Sequence, residues 1–215
     1  MPRDRNAHRG LIRLKSSPLA LRFYRRPTEL VARELLGCHI VRNLEGERLV
    51  LRIVETEAYL GAPDRASHAC GGRRTARNES LYLPGGHAYV YFIYGMHFCL
   101  NVVTEGAELG SAVLIRAGEP VAGEERMLAL RGLLRARPGD IAGGPGRLCK
   151  ALSIGRADDG VRIDRGALKI VEGESLAAEE IAAGPRVGID YAEEAVSWPL
   201  RFAIRGNPHV SRPRL

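Results

Sequence analysis

The run Arg52-Ile53-Val54-Glu55-Thr56-Glu57-Ala58-Tyr59-Leu60-Gly61 sets two carboxylates and a phenol at alternate positions, just ahead of a Gly-Ala-Pro break. Side chains two apart on a strand share a face, so Glu55, Glu57 and Tyr59 are expected to project together. Crowding of two carboxylates, or burial of either, favours proton uptake, and that suits a general base. An isolated Glu-Thr-Glu is more often a solvated strand end, so the neighbouring stretches decide.

After Gly61 the pattern is irregular through Asn78 and contains His68 and the run Gly71-Gly72-Arg73-Arg74-Thr75-Ala76-Arg77-Asn78. Glycines let a backbone approach a partner closely, and Arg73, Arg74, Arg77 and Thr75 offer donors for phosphate oxygens. Residues 87–103 read as a strand, a tight turn near Tyr94-Gly95-Met96 and a returning strand. Tyr89, Tyr91 and Ile93 share one face of it. A tyrosine and a methionine at a hairpin tip beside a basic loop have the character of a minor-groove wedge. Arg116 closes the apolar run Ala112 to Ile115, and a buried guanidinium requires a partner. Gly143-Gly144-Pro145-Gly146-Arg147 could open a helix with Pro145 near its first position. It lacks the Gly-Lys-Ser/Thr of a nucleotide-binding loop.

The elements that must position these groups follow from local signals. Thr28, as N-cap, opens a helix over 29–37 that Gly37 stops. Residues 39–43 and 48–58 form a hairpin that delivers Glu57. An amphipathic helix over 124–137 carries Met127, Leu130, Leu133 and Leu134 on one face. Further strands are expected around 161–163, 168–170, 185–189 and 200–204.

The chain has 215 residues, 45% of them hydrophobic, enough for a sizeable core. No apolar run reaches the ~18 residues of a membrane span, and the N-terminus lacks the apolar centre of a signal peptide. A loose basic tail is expected over 1–20, followed by one domain over 21–215. The net charge of +7 favours a polyanionic partner, and 29 of the 32 basic residues are arginine, whose fork matches phosphate. Cys38, Cys70, Cys99 and Cys149 have no zinc spacing, so neither a metal nor a cofactor is expected, and a reduced, cytoplasmic protein is. Two other classes remain open on these residues. One is a carbohydrate-cleaving enzyme using Glu55 and Glu57 as a pair; the other is a non-catalytic DNA- or RNA-binding module.

From about Phe23 to the C-terminus the sequence resembles the alkyladenine (3-methyladenine, or methylpurine) DNA glycosylase family, which flips bases. The resemblance rests on Glu-Leu-Leu-Gly at 34–37, Val-Glu-Thr-Glu-Ala-Tyr at 54–59, and Gly-Gly-Arg-Arg-Thr-Ala-Arg-Asn at 71–78. Tyr-Val-Tyr-Phe-Ile-Tyr-Gly-Met at 89–96, Asn101, Leu-Ile-Arg-Ala at 114–117, Gly-Gly-Pro-Gly-Arg-Leu-Cys at 143–149 and Pro-Leu-Arg-Phe at 199–202 complete it. It implies a single mixed α/β domain around a curved, mainly antiparallel sheet with flanking helices and a protruding hairpin. It implies double-stranded DNA containing alkylated or deaminated purines as partner. The Glu57 segment contains no lysine, so direct hydrolysis to an abasic site is expected rather than an imine intermediate and strand cleavage. A duplex-scanning enzyme can work as a monomer, and a monomer, nucleoid-associated if bacterial, is expected. Glu57 matches the general base that activates water against the sugar C1′; Arg116 and the main chain of Val187 match groups that hold that water. Tyr59, His68 and Tyr91 match the walls of the base pocket, and Asn101 the residue that disfavours a purine 2-amino group. Tyr94 matches the wedge, with Met96 beside it and Arg73, Thr75 and Arg77 expected on the DNA backbone. His97 departs from the pattern, standing where relatives usually carry tyrosine.

Overall fold

A computed structural model of the chain describes residues 17–215, so most of the expected tail lies outside the described residues. At the tail's end, Pro18 bridges Val171, and the buried Leu19 donates its amide to Ile170 O at 3.0 Å. The strands are β1 (His39–Leu44), β2 (Glu47–Tyr59), β3 (Ala88–Ile93), β4 (His97–Val103), β5 (Ala112–Ala122), β6 (Leu168–Val171), β7 (Ile181–Gly184) and β8 (Arg201–Ile204). They form one sheet in the order β3-β4-β5-β2-β1-β6, with β8 pairing β2 and β7, and every pairing is antiparallel. Among the described residues four short α-helices flank it: α1 (Leu21–Tyr24), α2 (Thr28–Glu34), α3 (Glu124–Arg131) and α4 (Pro145–Ala151). Among the described residues no helix is long and apolar enough to cross a membrane.

β2 is the axis of the sheet. Its two-residue turn from β1 places Glu45 and Gly46 at φ 51° and 86°, the twist that matches right-handed strands. β5 runs along one edge from Val50 to Tyr59. The other edge is divided, with β1 beside residues 47–52 and β8 beside residues 55–57.

A double irregularity decides which way the carboxylates face. In the β2–β5 register Ile53 opposes Gly118, Glu55 opposes Ala117 and Thr56 opposes Ile115, so Val54 and Arg116 are skipped. Before this point Leu49, Leu51 and Ile53 point into the main core; after it Val54 and Ala58 do, and the Thr56 hydroxyl donates to Ala32 O of α2 at 2.8 Å. A strand without the bulge would carry Glu55 and Glu57 into that same core as Leu51 and Ile53. The inserted residue reverses the phase and turns Glu55, Glu57 and Tyr59 to the opposite face.

The core itself joins Val31, Leu35 and Leu36 of the α2 region to Leu51, Ile53, Ile115 and Phe202 across the sheet. Each such buried side chain contributes about 1.5–3 kcal/mol relative to exposure. Cys38, Cys99 and Cys149 are buried.

Several elements depart from the sequence-based expectation. Thr28 is the first residue of α2 rather than its cap, and Glu105 caps the helix by accepting the Thr28 amide at 3.1 Å. α3 stops at Arg131 because Gly132 takes φ 69° and closes it, so Leu133 and Leu134 do not extend its apolar face. Leu134 is fully exposed. β5 continues past Arg116 to Ala122, because Gly118 lets the strand pass against Leu51; a Cβ there would lie 3.0 Å from that side chain. Near 161–163 there is only the isolated bridge of Arg162 to His87. Residues 185–189 are not a strand: the segment turns inward, burying Arg186 against Asp64 and aiming the Val187 amide at Glu57.

Candidate active site

The reversed face of β2 forms the floor of a cavity of about 540 Å³ whose lining includes Tyr59, His68, Tyr91, Asn101, Arg116 and Val187. Glu57 is wholly buried, and its three partners Tyr59, Arg116 and Val187 all line the cavity. Its Oε1 accepts the Val187 amide at 2.8 Å, and its Oε2 accepts the Tyr59 hydroxyl at 2.9 Å and Arg116 Nη1 at 3.3 Å. A carboxylate offers about four acceptor sites, so one remains on Oε1, the oxygen that accepts the Val187 amide.

Glu55 behaves differently, although it is equally buried. It accepts Arg116 Nε at 3.1 Å, Arg201 Nε at 2.7 Å, and both the hydroxyl and the amide of Ser211 at 3.0 and 2.8 Å. The carboxylates therefore do not repel across a gap as the sequence alone led one to expect. Arg116 lies between them and cancels that repulsion. Glu55 is wholly buried and already accepts four hydrogen bonds, two of them from arginines, so a paired-carboxylate reaction on a sugar has no second free carboxylate to use.

The walls are aromatic and interlocked. His68 Nδ1 lies 2.7 Å from the Tyr89 hydroxyl, and its ring meets Tyr91 edge-on, with centroids 4.6 Å apart. Burial, reinforced by Arg77 and Arg73, lowers the His68 pKa from 6.5, so the ring is neutral at pH 7. Burial, with Glu57 beside it, pushes the Tyr59 phenol well above its ordinary value, so it stays a donor to that carboxylate. Asn101 faces Tyr89 across the β3–β4 ladder and donates its amide nitrogen to Tyr89 O at 3.1 Å, which orients the side chain at the cavity wall.

The β3–β4 hairpin turns at Tyr94 and Gly95, both at positive φ (53° and 68°), leaving Tyr94 and Met96 79% and 69% exposed. Tyr94 also borders the cavity, as does His97. His97 packs against Gly146 of α4, where a Cβ would lie 2.9 Å from the ring. In the basic loop, Arg73, Thr75 and Arg77 border a concavity that adjoins the aromatic one and shares His68 with it. Arg73 is exposed, whereas Arg77 donates to Phe92 O at 2.7 Å and the Thr75 hydroxyl donates to Asn78 Oδ1 at 3.0 Å. The Thr75 proton is thus engaged within its own turn. Arg74 is tied to Glu79 and Glu108. Among the described residues no group of three or more His, Cys, Asp or Glu is placed to hold a metal ion.

Sequence reasoning missed the supports. Asp64 and Arg186, both fully buried, pair at 2.5 and 2.8 Å; Asp64 also accepts the amides of Leu60 and Ala66. The Arg186 guanidinium covers the Tyr59 ring at 4.7 Å. Arg201 and Ser211, from β8 and the segment after it, were likewise unforeseen. A charge beside a Gly-Ala-Pro break and another beside Pro185 were the available signals, but nothing local joins residues 122 positions apart.

Residues 22–208 match the family model described as methylpurine-DNA glycosylase (MPG). A protein of Methanocella arvoryzae is 51% identical over 190 residues, covering 88% of this chain and 94% of that protein. One of Alkaliphilus oremlandii is 42% identical over 200 residues (90% and 98%), and one of Myxococcus xanthus 45% over 190 (88% and 91%). All three bear the name "Putative 3-methyladenine DNA glycosylase". By the extent of that match, from ahead of α2 to beyond β8, the chain belongs to the methylpurine-DNA glycosylase family.

Proposed function

We propose that this protein is a monofunctional DNA glycosylase, acting as a monomer in the cytoplasm, that flips alkylated or deaminated purines out of duplex DNA and hydrolyses their N-glycosidic bond. The observation that carries this reading is the single unfilled acceptor site of Glu57 beneath an aromatic cavity. A duplex hides C1′, so the nucleotide must leave the stack, and a pocket walled by Tyr59, His68 and Tyr91 suits a planar purine. Water bound to Glu57 Oε1 and the main chain near Val187 attacks C1′. The C1′–N bond breaks, its electron pair leaves with the base, and the water proton passes to Glu57. The negative carboxylate also steadies the oxocarbenium-like sugar during this step. Weak pairing of a damaged base lowers the cost of extrusion and supplies part of the selectivity. Tyr94 and Met96 at the hairpin tip are suited to fill the space the nucleotide leaves, and Arg73 with Arg77 to face the DNA backbone.

The test is Glu57→Gln on a panel of duplexes carrying 3-methyladenine, 7-methylguanine, hypoxanthine or ethenoadenine. Damaged-duplex binding should survive, while single-turnover base release falls by at least ~10²–10⁴. Release within tenfold of wild type would remove Glu57 from this role, and absence of release by the wild type on every duplex would leave a binding module.

A further inference from the structure

Glu55 takes no part in the proton transfer just described, yet it is the most fully partnered carboxylate of the site. Its side chain is completely buried and accepts four hydrogen bonds, three on Oε1 and one on Oε2. What it holds is Arg116. That residue is skipped in the β2–β5 register, so its backbone is not held by a ladder partner on that edge. Its guanidinium is fixed instead at all three nitrogens: Nε on Glu55, Nη1 on Glu57 Oε2, and Nη2 on the Ser211 hydroxyl at 3.3 Å.

An arginine facing one carboxylate closes on it bidentately, with two parallel hydrogen bonds. On Glu57 that clamp would take the acceptor site needed by water. Here the fork is divided, and Glu57 receives one N–H at the long distance of 3.3 Å. We propose that Glu55 and Ser211 are positioning residues, holding Arg116 so that it steadies Glu57 without clamping it. Arg201 supplies the second positive charge, so two carboxylates and two guanidinium groups balance in one buried cluster. The segment after β8 thereby becomes part of the site, because Ser211 reaches Glu55 through both amide and hydroxyl.

This inference rests on the reading of Glu57 as base, and its test separates the two. Around Glu57 stand Tyr59 from its own strand, Arg116 from β5, Cys99 and Tyr91 from the hairpin, and Glu55 and Arg201 behind. Arg186 lies across the Tyr59 ring. Burial pushes the Tyr59, Tyr91 and Cys99 values up, so none of them charges on the acid side of neutrality. Glu55→Gln leaves the cluster with one excess positive charge. The single-turnover rate should fall about 10²-fold with duplex affinity within about twofold, and the acid limb of the pH–rate profile should move to lower pH. Ser211→Ala keeps every charge; it should slow the reaction about fivefold with the acid limb unmoved, and Ser211→Thr should restore the rate.

Proton exchange at the arginine Nε–H groups, read by NMR on ¹⁵N-arginine protein, needs no activity. Arg116 and Arg201 should be protected in the wild type, and Arg116 should lose protection in Glu55→Gln. A wild type that releases no base from any duplex overturns the base reading and this positioning role with it, while protected Arg116 would still show the anchoring. Rapid Arg116 exchange in an active wild type overturns the anchoring alone. A folded Glu55→Gln with unchanged rate and pH profile overturns the positioning role. If that variant does not fold, Ser211→Ala decides: an unchanged rate, or a loss that threonine does not restore, overturns it.

Discussion

Replacing Arg186 by methionine should be among the most damaging single changes outside the cavity. Asp64 accepts four hydrogen bonds, two from Arg186 and two from the amides of Leu60 and Ala66. Both side chains of the pair are at 0% exposure, so Arg186→Met keeps the volume and strands a buried carboxylate with only the amides. Breaking a buried pair in this way costs about 3–5 kcal/mol. At about 2–4 °C per kcal/mol for a domain of this size, the melting temperature should fall by about 6–20 °C. The double variant Asp64→Leu with Arg186→Met removes the stranded charge and should recover part of the loss. About 1–3 kcal/mol should remain, because two loop amides lose their acceptor. Reversible urea unfolding of wild type, both single variants and the double variant gives the cycle directly. A loss under about 1 kcal/mol in Arg186→Met, or a double variant no better than that single one, would refute the reasoning. Any folded Arg186→Met should also excise slowly, because the neighbouring Val187 amide is what holds Glu57 Oε1.

Three further outcomes are expected. Tyr94→Ala should change stability by no more than about 0.5 kcal/mol, since the side chain is 79% exposed, yet weaken extrusion of ethenoadenine in duplex by a few kcal/mol; equal fluorescence of the extruded base for variant and wild type would exclude a wedge. Arg73→Ala should weaken lesion and undamaged duplex alike and lower the salt slope by about one, whereas an unchanged slope would mean that the exposed guanidinium meets no phosphate. The pKa values of His39, His68 and His209 are all lowered from 6.5, chiefly by burial, so the unfolded chain takes up protons before the folded one does. The stability they contribute is present above pH 6.5 and lost as pH falls through their lowered values; urea midpoints that rise from pH 7.5 to 5.5 would contradict this.

The strand-and-turn skeleton was legible because it is local. Turn chemistry at Glu45-Gly46 and at Tyr94-Gly95, and alternation within β3, need no information from elsewhere in the chain. The clustering of Glu57, Tyr59 and Tyr91 with Asn101 and Arg116 was legible through the family resemblance. What could not be read was the phase reversal at Val54, because alternation from Leu51 through Ile53 runs on unbroken into Glu55 and Glu57. That bulge exists only in the pairing with β5, where Arg116 is the second skipped residue. The strand expected at 185–189 failed for a related reason: its apolar positions are satisfied by loop packing of Ile189 against Ala66, not by a neighbouring strand. Leu133 and Leu134 fitted a helical period that Gly132 ends.

The divided edge of β2 has a mechanical consequence. Residues 55–57 are hydrogen-bonded to β5 on one side and β8 on the other, while β3 ends the strand order with β4 alone beside it. Amide hydrogen exchange should therefore be graded, with the backbone of Glu55 to Glu57 opening only near global unfolding and residues 91–97 opening through local fluctuation. Glu57 is thus mounted on a strand paired along both edges and the exposed Tyr94 on a compliant margin. Changes at that margin should therefore leave the geometry around Glu57 untouched.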